Sequence, residues 1–581
     1  MKRHSLTRLA AMILPYYKAL IICIICVLAV NGAAIAKPYI LKVVIDDFLI
    51  AQKVQQGLYS ITALGIIYMV MVAASSLLTV VQVNLTNWVG QEVIYKIRTK
   101  VFTHIQRMPL TIIDRYSSGR LITRSTNDVE ALNELFLDVM VNLFKDIFLL
   151  LGIVFIMLRM NTSLALISFA VIPLIVLVTN FFKGKIKKNF VVMKALIGRI
   201  NGFFAENISG MRVVQIFNRQ QEKRDEFAQL NQEYYKTTIF QVTMNSILRP
   251  IIEIFNALGI AILIYYGMGR IMGGSLEIGV LFAFTTYIKQ FFEPINELAE
   301  KYNTIQSAIV SADRIFELLD QEGDLEDLDK GLKVKSFQGE IEFKNVWFAY
   351  NDEEWVLKDV SFKVEKGQTA ALVGHTGSGK TTIINLLARF YEIQQGEILM
   401  DGINIKDICL RDLRRNIAAV LQDVFLFSGN IRDNITLNSE IMEEDVARAL
   451  ELSNSNQFIE DLPHKINEPV RERGATFSSG QRQLLAFARA IAHDPAIFVL
   501  DEATANIDTK TEQLIQQSVE NISKDKTTLI IAHRLSTIRE ASIIIVMNKG
   551  KIVEMGNHDE LMERKGYYRQ LYEAQYASQA S

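Results

Sequence analysis

TAALVGHTGSGKTTIINLLARFY, residues 369–391, carries three signals in a fixed order. The apolar run up to Val373 reads as a short strand, and the stretch after Thr381 reads as a helix. Between them lies Gly374-x-x-x-x-Gly379-Lys380-Thr381, the pattern of a phosphate-binding loop. Its glycines let backbone N–H groups approach phosphate oxygens, and the helix that follows aims the positive end of its dipole at the same charge. In such a loop His375, Thr376, Gly377, Ser378 and Thr382 line the phosphates. Lys380 reaches the β- and γ-phosphates and Thr381 ligates Mg²⁺. About 120 residues on, AIFVLDEAT (496–504) reads as a second buried strand ending in Asp501 and then Glu502. The first carboxylate suits Mg²⁺, directly or through water; the second suits a base that orients and deprotonates attacking water.

The rest of the chain is of another kind. Of 581 residues 50% are apolar, yet 22% are charged, so a greasy part and an ordinary globular part must coexist. A formal net charge of −1 gives none of the overall basicity on which nucleic-acid binding rests, and no nucleic-acid partner is expected. Three cysteines are too few for a disulfide framework. Cys23 and Cys26 fall inside a long apolar run and read as small apolar residues of a lipid-exposed helix rather than a redox or metal pair. The basic start MKRHSLTR is not followed by the pattern of a cleavable signal.

Six apolar runs of membrane-spanning length occur before residue 300, at about 18–40, 58–83, 137–158, 163–182, 247–269 and 276–296. One soluble core cannot absorb six. The connections alternate short and long, and the two long ones, about 84–136 and 183–246, are rich in Lys and Arg. The short turns hold Lys53, Arg159 and Arg270. The positive-inside bias therefore places the N-terminus and both long connections in the cytoplasm. Val93, Ile97, Val101 and Ile105 form one apolar stripe at i, i+4 spacing, so the long connections are expected to be helical stalks. The expected architecture is an all-α six-helix transmembrane domain over residues 1–320, a linker over 321–338, and a cytoplasmic α/β phosphate-loop ATPase domain over 339–581. Each stalk turns at a compact polar segment, 114–132 and 208–220, which reads either as a plain corner or as a docking surface.

The phosphate loop, LQDVFLFSGNIRDNI with Gln422, FSSGQ at 477–481, VLDEAT, ANID at 505–508 and IIAHRLSTI with His533 stand in the order found in ATP-binding cassette (ABC) proteins. With six spans and two long cytoplasmic excursions ahead of the cassette, nearly the whole chain resembles a half-transporter of the exporter branch. The resemblance implies that Tyr350 stacks on adenine, that Gln422 reaches Mg²⁺ and senses the membrane domain, and that Glu502 is the general base. It implies that His533 contacts the γ-phosphate, that Asp508 lies in the loop crossing to the opposite cassette, and that segments near 114–119 and 211–217 are coupling helices.

In this family two cassettes face head to tail, and each ATP lies between one phosphate loop and the signature loop of the other cassette. Here that loop reads Phe477-Ser478-Ser479-Gly480-Gln481, with Ser479 where the resemblance implies glycine. Its Cβ and hydroxyl are expected to hold the loop back from phosphate, and a misplacement of ~1 Å can cost about a hundredfold in rate. Pro469 also stands where the family commonly has a glutamate that contacts coupling helices. Sound catalytic residues beside an altered signature imply one subunit of a heterodimer whose partner half-transporter has a degenerate Walker B. The alternatives are a tolerated serine in a homodimer, including a homodimeric lipid flippase, and a cassette that regulates rather than transports.

The implied function is ATP-driven, Mg²⁺-dependent export of lipophilic or amphipathic compounds across a bacterial inner membrane, in contact with its lipid. For a substrate cavity the candidates are Arg249, Glu253, Asn256, Glu293 and Glu297, with Asp138, Lys145, Asp146 and Lys289, because charges at membrane depth tend to face protein or water. The plainer reading is that several lie at interfaces or pair with one another. Phe282, Phe284, Tyr287, Phe291 and Phe292 suit either an adaptable apolar wall or helix packing.

Overall fold

The structure, a computed structural model, describes residues 2–51, 60–321, 323, 325, 329–351, 354–501, 509–524, 526–532 and 535–576. The chain forms two compact units: Met1–Phe102 with Gly119–Asp320, and Thr103–Ser118 with Gln321–Ser581.

The first unit is helical. Its N-terminal helix α1 (Lys2–Ile13) buries Leu9 and Ile13. Arg8 Nη1 donates to Asp320 Oδ2 at 2.6 Å, and its guanidinium lies 4.3 Å from the Phe316 ring centroid. The helices that follow are α2 (Tyr17–Val43), α3 (Ile61–Arg107), α4 (Leu110–Ile113), α5 (Val141–Met160), α6 (Ile172–Ser209), α7 (Met211–Ile216), α8 (Gln220–Met272) and α9 (Ile278–Leu319). Of these, α4 and the end of α3 from Thr103 belong to the second unit. By length and composition four helical stretches suit a membrane crossing: Thr7–Ile50, Ile61–Arg107, Thr162–Ser209 and Gln220–Met272; Ile278–Phe292 is a shorter apolar helix. The third expected span is the 20-residue α5. Lipid offers no hydrogen-bond partners, so such apolar runs must satisfy their backbone internally, as helices do. The long connections are indeed continuations of helices, and Val93, Ile97 and Val101 are buried along the expected stripe.

One expectation changes here, and one open alternative is decided. Cys23 and Cys26 are buried rather than lipid-facing; Cys23 Sγ lies 3.8 Å from Thr86 Oγ1 on α3. Phe284, Tyr287 and Phe292 belong to the bundle core with Ile153, Met157, Leu164 and Leu263, so they do not form an adaptable wall. The Tyr287 hydroxyl donates to Ile35 O at 2.6 Å. Hydropathy reports that a helix is apolar all round, and cannot say which face meets protein.

Beyond α2, Asp46 Oδ1 accepts the Gly279 amide at 2.6 Å, and Lys42 Nζ lies 2.6 Å from Glu277 Oε2. A Cβ on Gly279 would stand 2.5 Å from Lys42 O, so only glycine permits this approach between the first and last long helices.

In the second unit a six-stranded sheet has the order β12-β11-β3-β10-β9-β6. Its strands are β3 (Thr369–Val373), β6 (Ile417–Val420), β9 (Ile497–Asp501), β10 (Thr527–Ile531), β11 (Ile543–Asn548) and β12 (Lys551–Gly556). All neighbours are parallel except β11 and β12. The inner strands β3, β9, β10 and β11 are buried on both faces and read as near-continuous runs, whereas the edge strand β12 alternates. A four-stranded antiparallel sheet holds β1 (Ile341–Ala349), β2 (Trp355–Val364), β4 (Gln395–Met400) and β5 (Ile403–Asn404). A small ladder pairs β7 (Gly429–Asn430) with β8 (Pro469–Val470). One core packs Phe343, Phe362, Ile383, Leu387 and Ile545 together, and another Phe487, Leu484, Phe498, Ile515 and Ile538.

Candidate functional site

Parallel register fixes where the site lies. Ile531 of β10 pairs with Leu372 of β3 on one side and Asp501 of β9 on the other, so the loop after β3 and the acidic end of β9 emerge along one sheet edge. Ligands of open α/β sheets bind outside the carboxyl ends of such strands.

The loop leaves β3 at Gly374, where a Cβ would lie 2.3 Å from Met547 O, and enters α10 (Lys380–Leu387) through Gly379 at φ +103°. A side chain at either position would push the loop off its path. Lys380 is buried and its Nζ donates to Gly374 O at 2.7 Å and His375 O at 3.1 Å. Burial lowers the Lys380 pKa from its ordinary value, and the Asp501 charge partly opposes this. The Ser378 hydroxyl is buried with no hydrogen-bond partner in the structure. A glycine-shaped cradle, a buried cation and an orphaned hydroxyl fit a polyphosphate. Thr381 and Gln422 are exposed and Asp501 is buried at its strand end. Among the described residues no cluster of three His, Cys, Asp or Glu stands ready for a metal. Mg²⁺ needs only one or two protein oxygens, with phosphates and waters completing its shell.

Tyr350 follows β1 and remains 45% exposed, leaving ring surface for stacking. Its hydroxyl lies 3.2 Å from Thr382 Oγ1, and its ring stands edge-on to Phe348 (4.9 Å) and Tyr391 (5.0 Å). The Tyr391 hydroxyl donates to the Asp114 carboxylate, just after α4. Burial, reinforced by that carboxylate, raises the Tyr391 pKa.

In the signature segment Phe477 is buried and Ser478 caps α12, which runs from Ser479 to Ala492 with α11 (Ile431–Thr436) against it. Ser478 Oγ accepts from the Gln481 amide at 3.2 Å while Gln481 Oε1 accepts from the Ser478 amide at 2.9 Å, a capping box. Ser479 is the first helical residue, and it is not among the residues with positive φ. The serine therefore sits on ordinary helical backbone, and any effect on phosphate comes from its side chain alone. Gly480 behind it is buried. Pro469 occupies β8, its ring exposed.

Sequence reasoning missed a brace between this helix and the segment after Gln422. Arg489 Nε donates to Asn434 O at 2.8 Å, Nη1 to Phe425 O at 3.1 Å and Nη2 to Asn434 Oδ1 at 3.3 Å. Asn434 in turn bonds both the amide and the carbonyl of Phe427 at 2.8 Å. It missed Tyr391 too, since no spacing rule links that residue to Asp114, 277 positions away.

Glu502, Asp508 and His533 lie outside the described residues, as does Lys53. The side chains of Asp138, Arg249, Glu293 and Glu297 do too. Of the remaining cavity candidates, Glu253 and Lys289 are exposed, and Asn256 has a buried Oδ1 without a hydrogen bond. Asp146 is buried and paired at 2.8 Å with Lys301, a residue outside the candidate set. Lys145 is half-buried, its backbone carbonyl accepting from Asn31 Nδ2 at 2.8 Å.

Comparison with known proteins agrees with this geometry. Residues 20–295 match the family model of the ABC transporter transmembrane region, and residues 357–505 match the ABC transporter model. A probable multidrug resistance ABC transporter ATP-binding/permease protein of Bacillus subtilis, YheH, is 40% identical over 84% of this chain and 72% of its own length. An ATP-dependent lipid A-core flippase of Syntrophus aciditrophicus is 32% identical over 98% of this chain and 94% of its own. A bacterial Atm1-family ABC exporter with ATP bound superposes with a TM-score of 0.79 at 24% identity, covering 96% of this chain and 98% of that one. The chain belongs to the ABC transporter family: a transmembrane region fused to an ATPase whose activity is coupled to transport.

Proposed function

We propose that this ABC exporter chain is one half of a heterodimeric multidrug-type pump in a bacterial inner (plasma) membrane, with its N-terminus and ATPase unit cytoplasmic. Its partner is a second half-transporter with a degenerate Walker B, and its cargo is lipophilic or amphipathic. ATP and Mg²⁺ sit at the loop from Gly374 to Thr382, with Tyr350 against the base and Thr381, Gln422 and Asp501 toward the metal. Glu502 acts as general base and His533 holds the γ-phosphate. The signature segment Phe477–Gln481 faces the partner's ATP, and Asp508 lies at the crossing loop. ATP binding favours one orientation of the cavity and hydrolysis resets it, since only differential affinity for two conformations can shift their populations.

The observation that carries the two-chain reading is the second corner. Around α7, Ile208, Val213, Ile216 and Phe217 are 59–75% exposed, a run of large apolar side chains presented together. Such patches mark contact with another surface, and a partner's ATPase unit suits a coupling helix. Ser479 beside Asp501 and Glu502 supports a partner that is a different chain. A homodimeric lipid flippase is the second reading, favoured by the flippase among the relatives.

Affinity purification from native membranes, with mass spectrometry of what accompanies the chain, tests the pairing. An equal amount of a related half-transporter is expected; an active assembly of this chain alone would overturn it. In that assembly Glu502→Gln should retain ATP binding and nearly abolish turnover.

A further inference from the structure

We propose that Tyr391 and Asp114 form a base-sensing contact that reports adenine occupancy at Tyr350 to the first cytoplasmic corner. The inference rests on the reading that the phosphate loop binds ATP, and it concerns which end of the nucleotide is felt. Four groups stand in line. Thr382, on the helix that follows the phosphate loop, meets the Tyr350 hydroxyl at 3.2 Å. The Tyr350 ring stands at 90° to Tyr391 with centroids 5.0 Å apart. The Tyr391 hydroxyl donates to Asp114, the residue that ends α4.

Each link is sensitive to position. An edge-to-face aromatic pair has a defined geometry, because the ring edge is positive and the face negative. A hydroxyl donating to a carboxylate is a charge-assisted bond, roughly twice as strong as a neutral one. A base stacked on Tyr350 fixes that ring, the ring fixes Tyr391, and Tyr391 holds Asp114. Phe348 lies beside both tyrosines, its ring centroid 4.9 Å from that of Tyr350 and 5.9 Å from that of Tyr391.

The corner is gripped from another direction as well. A Cβ on Gly323 would stand 3.1 Å from Ile112 Cδ1 and 3.3 Å from Pro109 Cγ, so the chain leading into the ATPase unit lies against α4. With that contact already made, Tyr391 is the link able to respond to the base. Polyphosphate alone fills the loop yet leaves Tyr350 unstacked.

The test is hydrogen–deuterium exchange on the full-length chain in lipid nanodiscs, with EDTA present to stop turnover. ATP or inorganic tripolyphosphate is added at concentrations that fully protect the phosphate-loop amides. The corner is read at Ile113, Asp114, Arg115 and Tyr116, whose amides bond to Pro109, Leu110, Ile112 and Ile113 carbonyls. ATP is expected to slow exchange there by roughly two- to tenfold, the factor of one aromatic contact, and tripolyphosphate to leave it unchanged. Tyr391→Phe, which keeps the ring, and Asp114→Asn should each remove the ATP effect, and the double variant should lose no more than either. Protection of the phosphate loop in the same samples shows that the variants are folded. Equal corner protection by tripolyphosphate, or an ATP effect that survives both substitutions, overturns the contact. Absence of loop protection by ATP overturns the nucleotide reading beneath it.

Discussion

Replacing Arg489 with alanine should unfasten α12 from the segment that follows Gln422, at a cost set by its three hydrogen bonds. Nε and Nη2 reach the carbonyl and side chain of Asn434 at partly buried sites, whereas the bond to Phe425 is exposed and water can replace it. Removing the guanidinium leaves the Asn434 carbonyl unpaired, whereas Asn434 Oδ1 keeps the Phe427 amide, so the cost is about 1–3 kcal/mol. For a unit of about 250 residues each kcal/mol moves the midpoint by about 2–4 °C, giving a drop of at least about 2 °C. Arg489→Lys keeps the charge but lacks the planar fork, and should recover part of the loss. Thermal unfolding of the full-length chain in nanodiscs, followed by tryptophan fluorescence, is the assay. Two of the three tryptophans, Trp347 and Trp355, stack edge-on within the ATPase unit and dominate its signal. Because the bonds of Arg489 go to Asn434 and Phe425 and not to the phosphate loop, kcat should fall more than KM for ATP rises. An alanine variant that melts within about 1 °C of the unaltered chain would refute the brace.

Two further outcomes follow from the same region. Ser478→Ala removes the cap of α12 and should cost about 1 kcal/mol, while Ser478→Asn should be close to neutral; the same melt reads both. His493 carries a ring nitrogen, Nε2, that is buried and without a hydrogen bond, and burial lowers its pKa from the ordinary 6.5. The unfolded chain therefore takes up a proton first as pH falls, so this stabilisation is complete above pH 6.5 and is lost progressively below it. His493→Gln should flatten the midpoint-versus-pH curve of the ATPase unit between about pH 7 and 5; an unchanged slope would show that other groups set it.

The nucleotide half was legible because its signals are local. A strand, a glycine-defined turn and a helix lie within the 23 residues 369–391, and the structure places each where the pattern put it. The spans were legible for a cruder reason, since long apolar runs have few other uses. What escaped depends on which groups meet across long separations. Nothing in an apolar run tells that Cys23 turns toward Thr86, or that Phe284 and Tyr287 are core rather than wall. Ser479 is instructive in another way. Glycine at that position suggests a need for unusual backbone, yet the residue opens a regular helix. The conformation tolerates serine, so the proposed effect on a partner's nucleotide rests on the side chain.

The helix α8 runs unbroken through 53 residues, about 80 Å, from the second corner to the far end of its span. A rod of this kind has a phase. Deleting one residue between the corner and the membrane would shorten it by only about 1.5 Å but turn everything beyond by about 100°, swinging its protein-facing side toward lipid. Removing seven would nearly restore the facing, with a drift of about 20°, though at the loss of about 10 Å of reach. Point changes along the stalk are thus forgiving, whereas insertions and deletions are restricted to whole numbers of paired turns, so stalk length can change only in discrete steps while the membrane end keeps its orientation.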